Sequence, residues 1–218
     1  MKHRWVSAAI AAASAIVIVH AAPNAHAAIQ VGTAMPAVSD HMKNIDGRTL
    51  TLADVRGEKG TLVIFSCNHC PWAQAWEERI VAIGNEYPGK GIGVAVVNSN
   101  DPAKNPDDSF DQMKSRAKER GMSYPYLYDA SSDVARAFQA EHTPEAFLFD
   151  ASGKLVYHGA IDDNAKDAEH VTAHYLRDAL DAVLAGQDVP TAETKALGCG
   201  IKFRMVKGAK NTEKAKTS

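Results

Sequence analysis

The chain is poor in cysteine, with three in 218 residues. That number cannot build the disulfide framework on which small secreted domains rely. It also falls short of a closed structural zinc site, which takes about four ligands, usually a second Cys pair or two spaced His. Basic blocks are equally scarce. The formal net charge is −2, and the one Lys-rich stretch is the C-terminal tail, so no nucleic acid partner is expected. Downstream of Val19 no apolar run approaches the ~20 residues that cross a membrane, so no stable membrane association is expected. Internal repeats and a second domain are absent too.

What stands at the start is a leader. Lys2 and Arg4 form a positive n-region, an apolar stretch runs to Val19, and Ala25-His26-Ala27 is an A-x-A cleavage site. The apolar run is ~14 residues, shorter than a membrane anchor needs. No cysteine follows the cleavage point, which argues against a lipoprotein. The expected organisation is a signal peptide over 1–27, one domain over 28–206 and a flexible Lys-rich tail over 207–218. The expected location is the periplasm or the medium.

The chemistry concentrates in Ser66-Cys67-Asn68-His69-Cys70-Pro71-Trp72. The preceding Leu62-Val63-Ile64-Phe65 reads as a buried strand, and an amphipathic helix is expected from about Cys70 to Glu86. Two cysteines with two residues between them can close a small disulfide ring, and the helix N-terminus offers positive partial charge and free N–H groups to the first sulfur. That favours a reactive thiolate. Strand, Cys-x-x-Cys, helix is therefore the pattern of a dithiol–disulfide exchange site. His69, if protonated, favours the Cys67 thiolate and so the reduced pair, which makes the disulfide a stronger oxidant. Pro71 suits a first helical turn. The competing readings are an inert buried disulfide and half of a metal site.

The rest of the chain reads as alternating elements. Asp46-Gly47 marks a hairpin in an N-terminal extension, and Ile92–Val97 is a second buried strand. The polar Asn98-Ser99-Asn100-Asp101 at its end either lines the site or makes the turn. A helix from Asn105-Pro106-Asp107-Asp108 to Arg120, stopped by Gly121, precedes a short strand at Tyr126–Tyr128 and a helix to Gln139. Thr143-Pro144 opens a strand over Phe147–Asp150 and has the setting of a cis peptide. Ser152-Gly153 turns that strand into an antiparallel partner at Leu155–Gly159, and a last helix is expected from Lys166 to Ala185. Trp72 and Trp76, four apart, read as core.

This order resembles the thioredoxin-like fold: an α/β architecture with a central mixed sheet, helices on both faces, an N-terminal hairpin extension and an inserted strand–helix. The segments Phe65–Pro71, Val97–Asp101, Tyr124–Asp129, Thr143-Pro144, Phe147–Asp150 and Gly198-Cys199-Gly200-Ile201-Lys202 are similar to those of the bacterial peroxiredoxin-like thioredoxin-domain family (redoxin, or AhpC/TSA-like), over about residues 31–204. The resemblance implies that Cys67 is the nucleophile, Cys70 the resolving thiol and Pro144 the cis-proline facing them. It leaves the backbone before Pro144 free to pair with an extended substrate. Three positions depart from relatives. Thr61 stands where thioredoxin has a buried carboxylate, Ser66 where it has Trp, and His142 where relatives often have a cysteine before Thr-Pro. His142 is then either a proton-transfer group or a surface histidine.

The leading expectation is an exported thiol–disulfide oxidoreductase with catalytic Cys67 and Cys70, supported by His69, His142, Thr143 and Pro144. It uses no cofactor beyond its redox-active disulfide and no metal. Its partners are substrate proteins with thiols or disulfides and an unidentified redox partner. A thiol peroxidase is the alternative, with Cys70 peroxide-reactive and Cys67 in the position of the peroxiredoxin Thr. A Cu(I)-binding or delivery module using Cys67, Cys70, Cys199 and His142 is the third reading. Cys199 stands as a third thiol, a small buried hydrophobe or an intermolecular link.

Overall fold

A computed structural model describes residues 28–205. The expected signal peptide and the expected flexible tail lie outside the described residues. The elements run β1 (Met42–Asn44), β2 (Thr49–Leu50), β3 (Gly60–Phe65), α1 (Pro71–Glu86), β4 (Ile92–Asn98), α2 (Phe110–Arg120), β5 (Tyr126–Tyr128), α3 (Asp133–Phe138), β6 (His142–Thr143), β7 (Glu145–Asp150), β8 (Leu155–Gly159), α4 (Tyr175–Ala185) and β9 (Cys199–Gly200). Seven strands form one sheet in the order β2-β1-β5-β4-β3-β7-β8, and β6 pairs with β9 apart from it. Neighbours β3, β4 and β5 are parallel, whereas β7 and β8 are antiparallel, as the hairpin at Ser152-Gly153 requires. This is the expected mixed sheet of the thioredoxin-like fold.

Strand β3 is buried along its whole length because both faces of the sheet are covered. Its side chains alternate between two cores. Leu62 and Ile64 meet Trp76, Ile80 and Ile83 of α1, Met113 and Ala117 of α2, and Leu176 and Leu180 of α4. Val63 and Phe65 face the other way, onto Val134, Ala135 and Phe138 of α3, and onto Ile29 and Met35 of the N-terminal extension. The β1–β2 hairpin turns at Asp46-Gly47 as expected and joins the sheet through β5.

Three expectations are corrected. The helix expected from Asn105 to Arg120 is broken at Ser109, which has extended backbone between a 3-10 turn (Pro106–Asp108) and α2. The last helix begins at Tyr175, not Lys166. Over 162–174 the side chains of Asp162, Asp163 and Asn164 accept from the backbone N–H groups of Asn164, Thr172 and Lys166 at 3.0–3.2 Å. Such local bonds compete with a helical ladder. Trp76 is core, 1 % exposed, but Trp72 is 37 % exposed and stacks on it with centroids 6.0 Å apart.

The face opposite α1 depends on an aromatic knot. Phe138 lies edge-on to Phe65, Phe147 and Phe149 at 5.2, 5.3 and 5.9 Å, in the favoured geometry for aromatic pairs. Phe138→Ala is expected to cost about 3–5 kcal/mol, read as a lower denaturation midpoint at unchanged slope. A loss within about 0.5 kcal/mol, the range of an ordinary surface substitution, would show that this face collapses around the gap.

Candidate active site

The carboxyl ends of β3 and β4 lie side by side, with Phe65 opposite Val97. Chain segments leaving this edge of a sheet gather in the crevice where sites form. Two residues past β3 stands Cys67, 5 % exposed, and Cys70 is fully buried at the N-cap of α1. Both are free thiols, packed with Ala73 and Cys199.

Thr143 lies between the two sulfurs. Its Oγ1 is 3.1 Å from Cys67 Sγ, and its carbonyl oxygen lies 3.1 Å from Cys70 Sγ. The Thr143–Pro144 bond is cis, and Pro144 is buried. The backbone here is not open, contrary to expectation. Strand β9 lies antiparallel to β6, with Thr143 opposite Cys199 and His142 opposite Gly200. The segment 198–202 is drawn in because Ile201 is buried in the α3-side core and its N–H bonds the Glu141 carbonyl at 2.9 Å. Only glycine fits at 198, where a Cβ would come within 2.4 Å of the Thr143 carbonyl oxygen. The single cysteine of this segment is thereby brought to the pair.

The dipeptide between the cysteines is docked onto the 3-10 turn of the insertion. Asn68 N–H donates to Asp108 Oδ1 at 2.7 Å, Asn68 Nδ2 donates to the Asp107 carbonyl at 2.7 Å, and the Tyr126 hydroxyl donates to Asn68 Oδ1 at 2.9 Å. Burial, with the Asp108 charge nearby, holds the Tyr126 phenol far above its usual pKa, so it remains a donor. His69 Nδ1 pairs with Asp108 Oδ2. Asp108 itself has no exposed surface and also accepts from Asn100 Nδ2 at 3.0 Å. Asn98, Ser99 and Asn100 are therefore buried supports of the site as well as a turn. Asn100 Oδ1 takes the Lys202 N–H at 2.7 Å, which ties that segment to the same network.

The proton of the reduced pair is unequally shared. Hydrogen bonding from the Cys67 thiol lowers Cys70 to about 4 against the opposing effect of its burial, helped by Cys199 and by backbone N–H of Ala73. Hydrogen bonding to Cys70, burial and the Asp108 charge push Cys67 up. The expected preference for a Cys67 thiolate is thus reversed at rest. Cys70, as the N-cap, holds the position at the helix terminus, and the Asp108 carboxylate facing Cys67 offsets what His69 supplies. Cys199 is pushed up to about 11 by burial and then by the adjoining Cys70 sulfur.

His142 is placed beside the site by its backbone, with its N–H on Glu145 Oε2 at 2.8 Å. Glu145, 2 % exposed, also binds the Glu141 N–H and the His158 ring, and so braces the loop before Pro144. Thr61 is buried with no carboxylate function, as expected. Among the described residues, Cys67, His69 and Asp108 bring one potential metal-ligand atom each within 4.8 Å of one another. A metal there would compete with the hydrogen bonds that occupy both Asp108 oxygens. The set differs from Cys67, Cys70, Cys199 and His142. Asp108 and Glu145 were not legible as site residues, because Asp108 meets Asn68 across 40 positions and Glu145 meets His158 across 13.

The redoxin family model matches residues 30–175. A crystal structure of a hypothetical protein from Sinorhizobium meliloti 1021 is 36% identical, covers 82% of this chain and 97% of its own, and superposes with a TM-score of 0.76. A crystal structure of an uncharacterized conserved protein from Geobacillus kaustophilus is 37% identical, with coverage of 80% and 93% and a TM-score of 0.75. The thiol-disulfide oxidoreductase ResA of Halalkalibacterium halodurans is 23% identical over 120 residues, which span 55% of this chain and 64% of that relative.

The lowered Cys70 pKa predicts one thiolate per reduced molecule at neutral pH. Because the folded value lies below the ordinary 9.0, the fold favours the anion, which is lost only as pH falls through about 4. Thiolate ultraviolet absorbance should follow that course. Cys67→Ala, which removes the main donor, should move the midpoint upward; an unmoved midpoint would contradict the shared proton.

Proposed function

This chain belongs to the redoxin family, and from that premise we propose that it is a thiol–disulfide oxidoreductase whose working couple is Cys67–Cys70. The observation that carries the reading is the pair of free sulfurs held on either side of Thr143, one on its hydroxyl and one on its carbonyl. The ResA relative supports the same chemistry.

In the reducing direction Cys67, the more exposed of the two sulfurs, attacks a substrate disulfide. The proton it must lose passes along its hydrogen bond to Cys70, and the Thr143 hydroxyl can donate to the sulfur left charged. A Cys67–substrate mixed disulfide forms and one substrate thiolate leaves. Cys70 passes that proton to the departed substrate thiolate, and as a thiolate it attacks the Cys67 sulfur, closing the Cys67–Cys70 disulfide and releasing the second substrate thiolate. In the oxidising direction the steps reverse. The substrates proposed are proteins with thiols or disulfides, and the couple needs no bound cofactor. Trp72, exposed beside the helix N-terminus, forms the rim over which a substrate approaches.

A thiol peroxidase is a second reading. The acidity of Cys70 favours it, while the complete burial of that sulfur and the absence of a Thr hydroxyl at position 67 weigh against it. We also propose export, on the strength of the Lys2/Arg4 n-region, the apolar stretch and Ala25-His26-Ala27.

A stabilised thiolate favours the reduced pair, so its reduction potential should be less negative than thioredoxin's value of about −270 mV. Equilibration of the purified protein with glutathione measures it. Failure to form a reversible Cys67–Cys70 disulfide would falsify the exchange reading. Peroxide turnover that survives Cys67→Ser but not Cys70→Ser would install the peroxidase instead. For export, the intact mass of protein recovered from its native host should correspond to a chain starting at Ala28; a mass that retains 1–27 would refute it.

A further inference from the structure

The reading of Cys67–Cys70 as an exchanging pair leaves one thiol at the site without a task. Cys199 is placed there by its contacts with Thr143 and with the cysteine pair. Its strand pairs with the strand before Pro144, directly opposite Thr143. Its carbonyl accepts from Thr143 Oγ1 at 3.4 Å, the hydroxyl that also touches Cys67. Its side chain packs on the cluster of Cys67, Cys70 and Ala73. The close approach at Gly198 and the Lys202–Asn100 bond fix this segment on both sides of the cysteine. The segment thus occupies the place an extended substrate would take beside the cysteine pair, and it presents a thiol there.

We propose that Cys199 is a third redox thiol, which takes over the disulfide from Cys67 by bonding to Cys70. The proposal rests on the exchange reading of the Cys67–Cys70 couple. Cys70 is the middle sulfur, interacting with Cys67 on one side and Cys199 on the other. In the step, the Cys199 thiolate attacks Cys70 Sγ of the oxidised pair. The Cys67–Cys70 S–S bond breaks, the Cys70–Cys199 bond forms, and Cys67 leaves with the electron pair of the broken bond. The proton that Cys199 gave up returns to Cys67 or its surroundings. One disulfide becomes another, so no outside oxidant or reductant is used. Closing the Cys67–Cys70 bond also removes the Cys70 anion that helps to raise Cys199, so Cys199 ionises more readily in the state it must attack. The consequence is a second oxidised form in which Cys67 is again a free nucleophile while this segment is fastened to the site.

The chain's own tryptic map separates the two disulfides. Cys67 and Cys70 share the peptide Gly60–Arg79, and Cys199 lies in Ala196–Lys202. The purified full chain is oxidised with one equivalent of diamide, its remaining thiol is blocked with N-ethylmaleimide, and the non-reduced digest is mapped by mass spectrometry. The expected result is a cross-linked Gly60–Arg79/Ala196–Lys202 pair with the label on Cys67, alongside molecules labelled on Cys199. In Cys67→Ser, diamide should remove both remaining thiols and give the same link. Label on Cys199 alone in the wild type, with an intact Cys67–Cys70 bond, would overturn this proposal and leave the exchange reading standing. Wild-type protein that forms neither disulfide would overturn both. The wild-type digest decides the matter even if Cys67→Ser does not fold.

Discussion

The site depends on one buried carboxylate. Asp108 has no contact with water, and its two oxygens receive the Asn68 N–H, the His69 ring and the Asn100 amide. A buried charge is tolerated only when it is hydrogen-bonded on all sides, so these partners are held to Asp108 as firmly as it is held to them. The bonds join three regions far apart in sequence: the loop between the cysteines, the insertion after β4, and, through Asn100, the segment around Lys202. Breaking this node would leave several buried donors unmade, each costing about 1–3 kcal/mol. Its negative charge also adds to the hydrogen bonding and burial that raise Cys67.

Thr143 is the second organising residue, and it acts with its backbone as much as its side chain. The hydroxyl meets Cys67, the carbonyl meets Cys70, and the strand it belongs to pairs with Cys199. Three sulfurs are therefore referenced to one residue. Glu145 braces the same turn from behind by accepting two successive backbone N–H groups and holding His158. A thiol site needs this rigidity, since exchange requires an attacking sulfur aligned with the bond it breaks.

The way α1 starts adds to the charge distribution. A helix places its unpaired N–H groups and positive dipole end at its N-cap. Here that residue is Cys70, not Cys67, because Pro71 begins the helix. The acidic thiol at rest is Cys70, the more deeply buried of the two buried sulfurs. The charge in the ground state and the site of attack are separate properties of such a pair, and coupled titrations of this kind belong to the pair as a whole.

Much of this was legible in the chain. The four-residue apolar run before Cys67, the Cys-x-x-Cys spacing, the Thr-Pro step and the alternation of strands and helices specify a parallel-centred sheet with a dithiol at its edge, because side-chain period and burial are local properties of the sequence. The break at Ser109 and the late start of α4 were not legible. They arise from side-chain bonds to nearby backbone that propensity does not weigh against a helix. The partners of the cysteines were hidden for a different reason. Asp107-Asp108 reads as an ordinary helix start, and Gly198-Cys199-Gly200 has no periodicity at all. Which carboxylate is buried against His69, and which strand lies beside Thr143, follow from how distant segments pack. The sequence by itself determined the pair and its scaffold; the tertiary structure alone decided that Asp108 would anchor the loop between the cysteines and that a third thiol would stand next to the pair, since both rest on contacts between residues that only folding brings within reach.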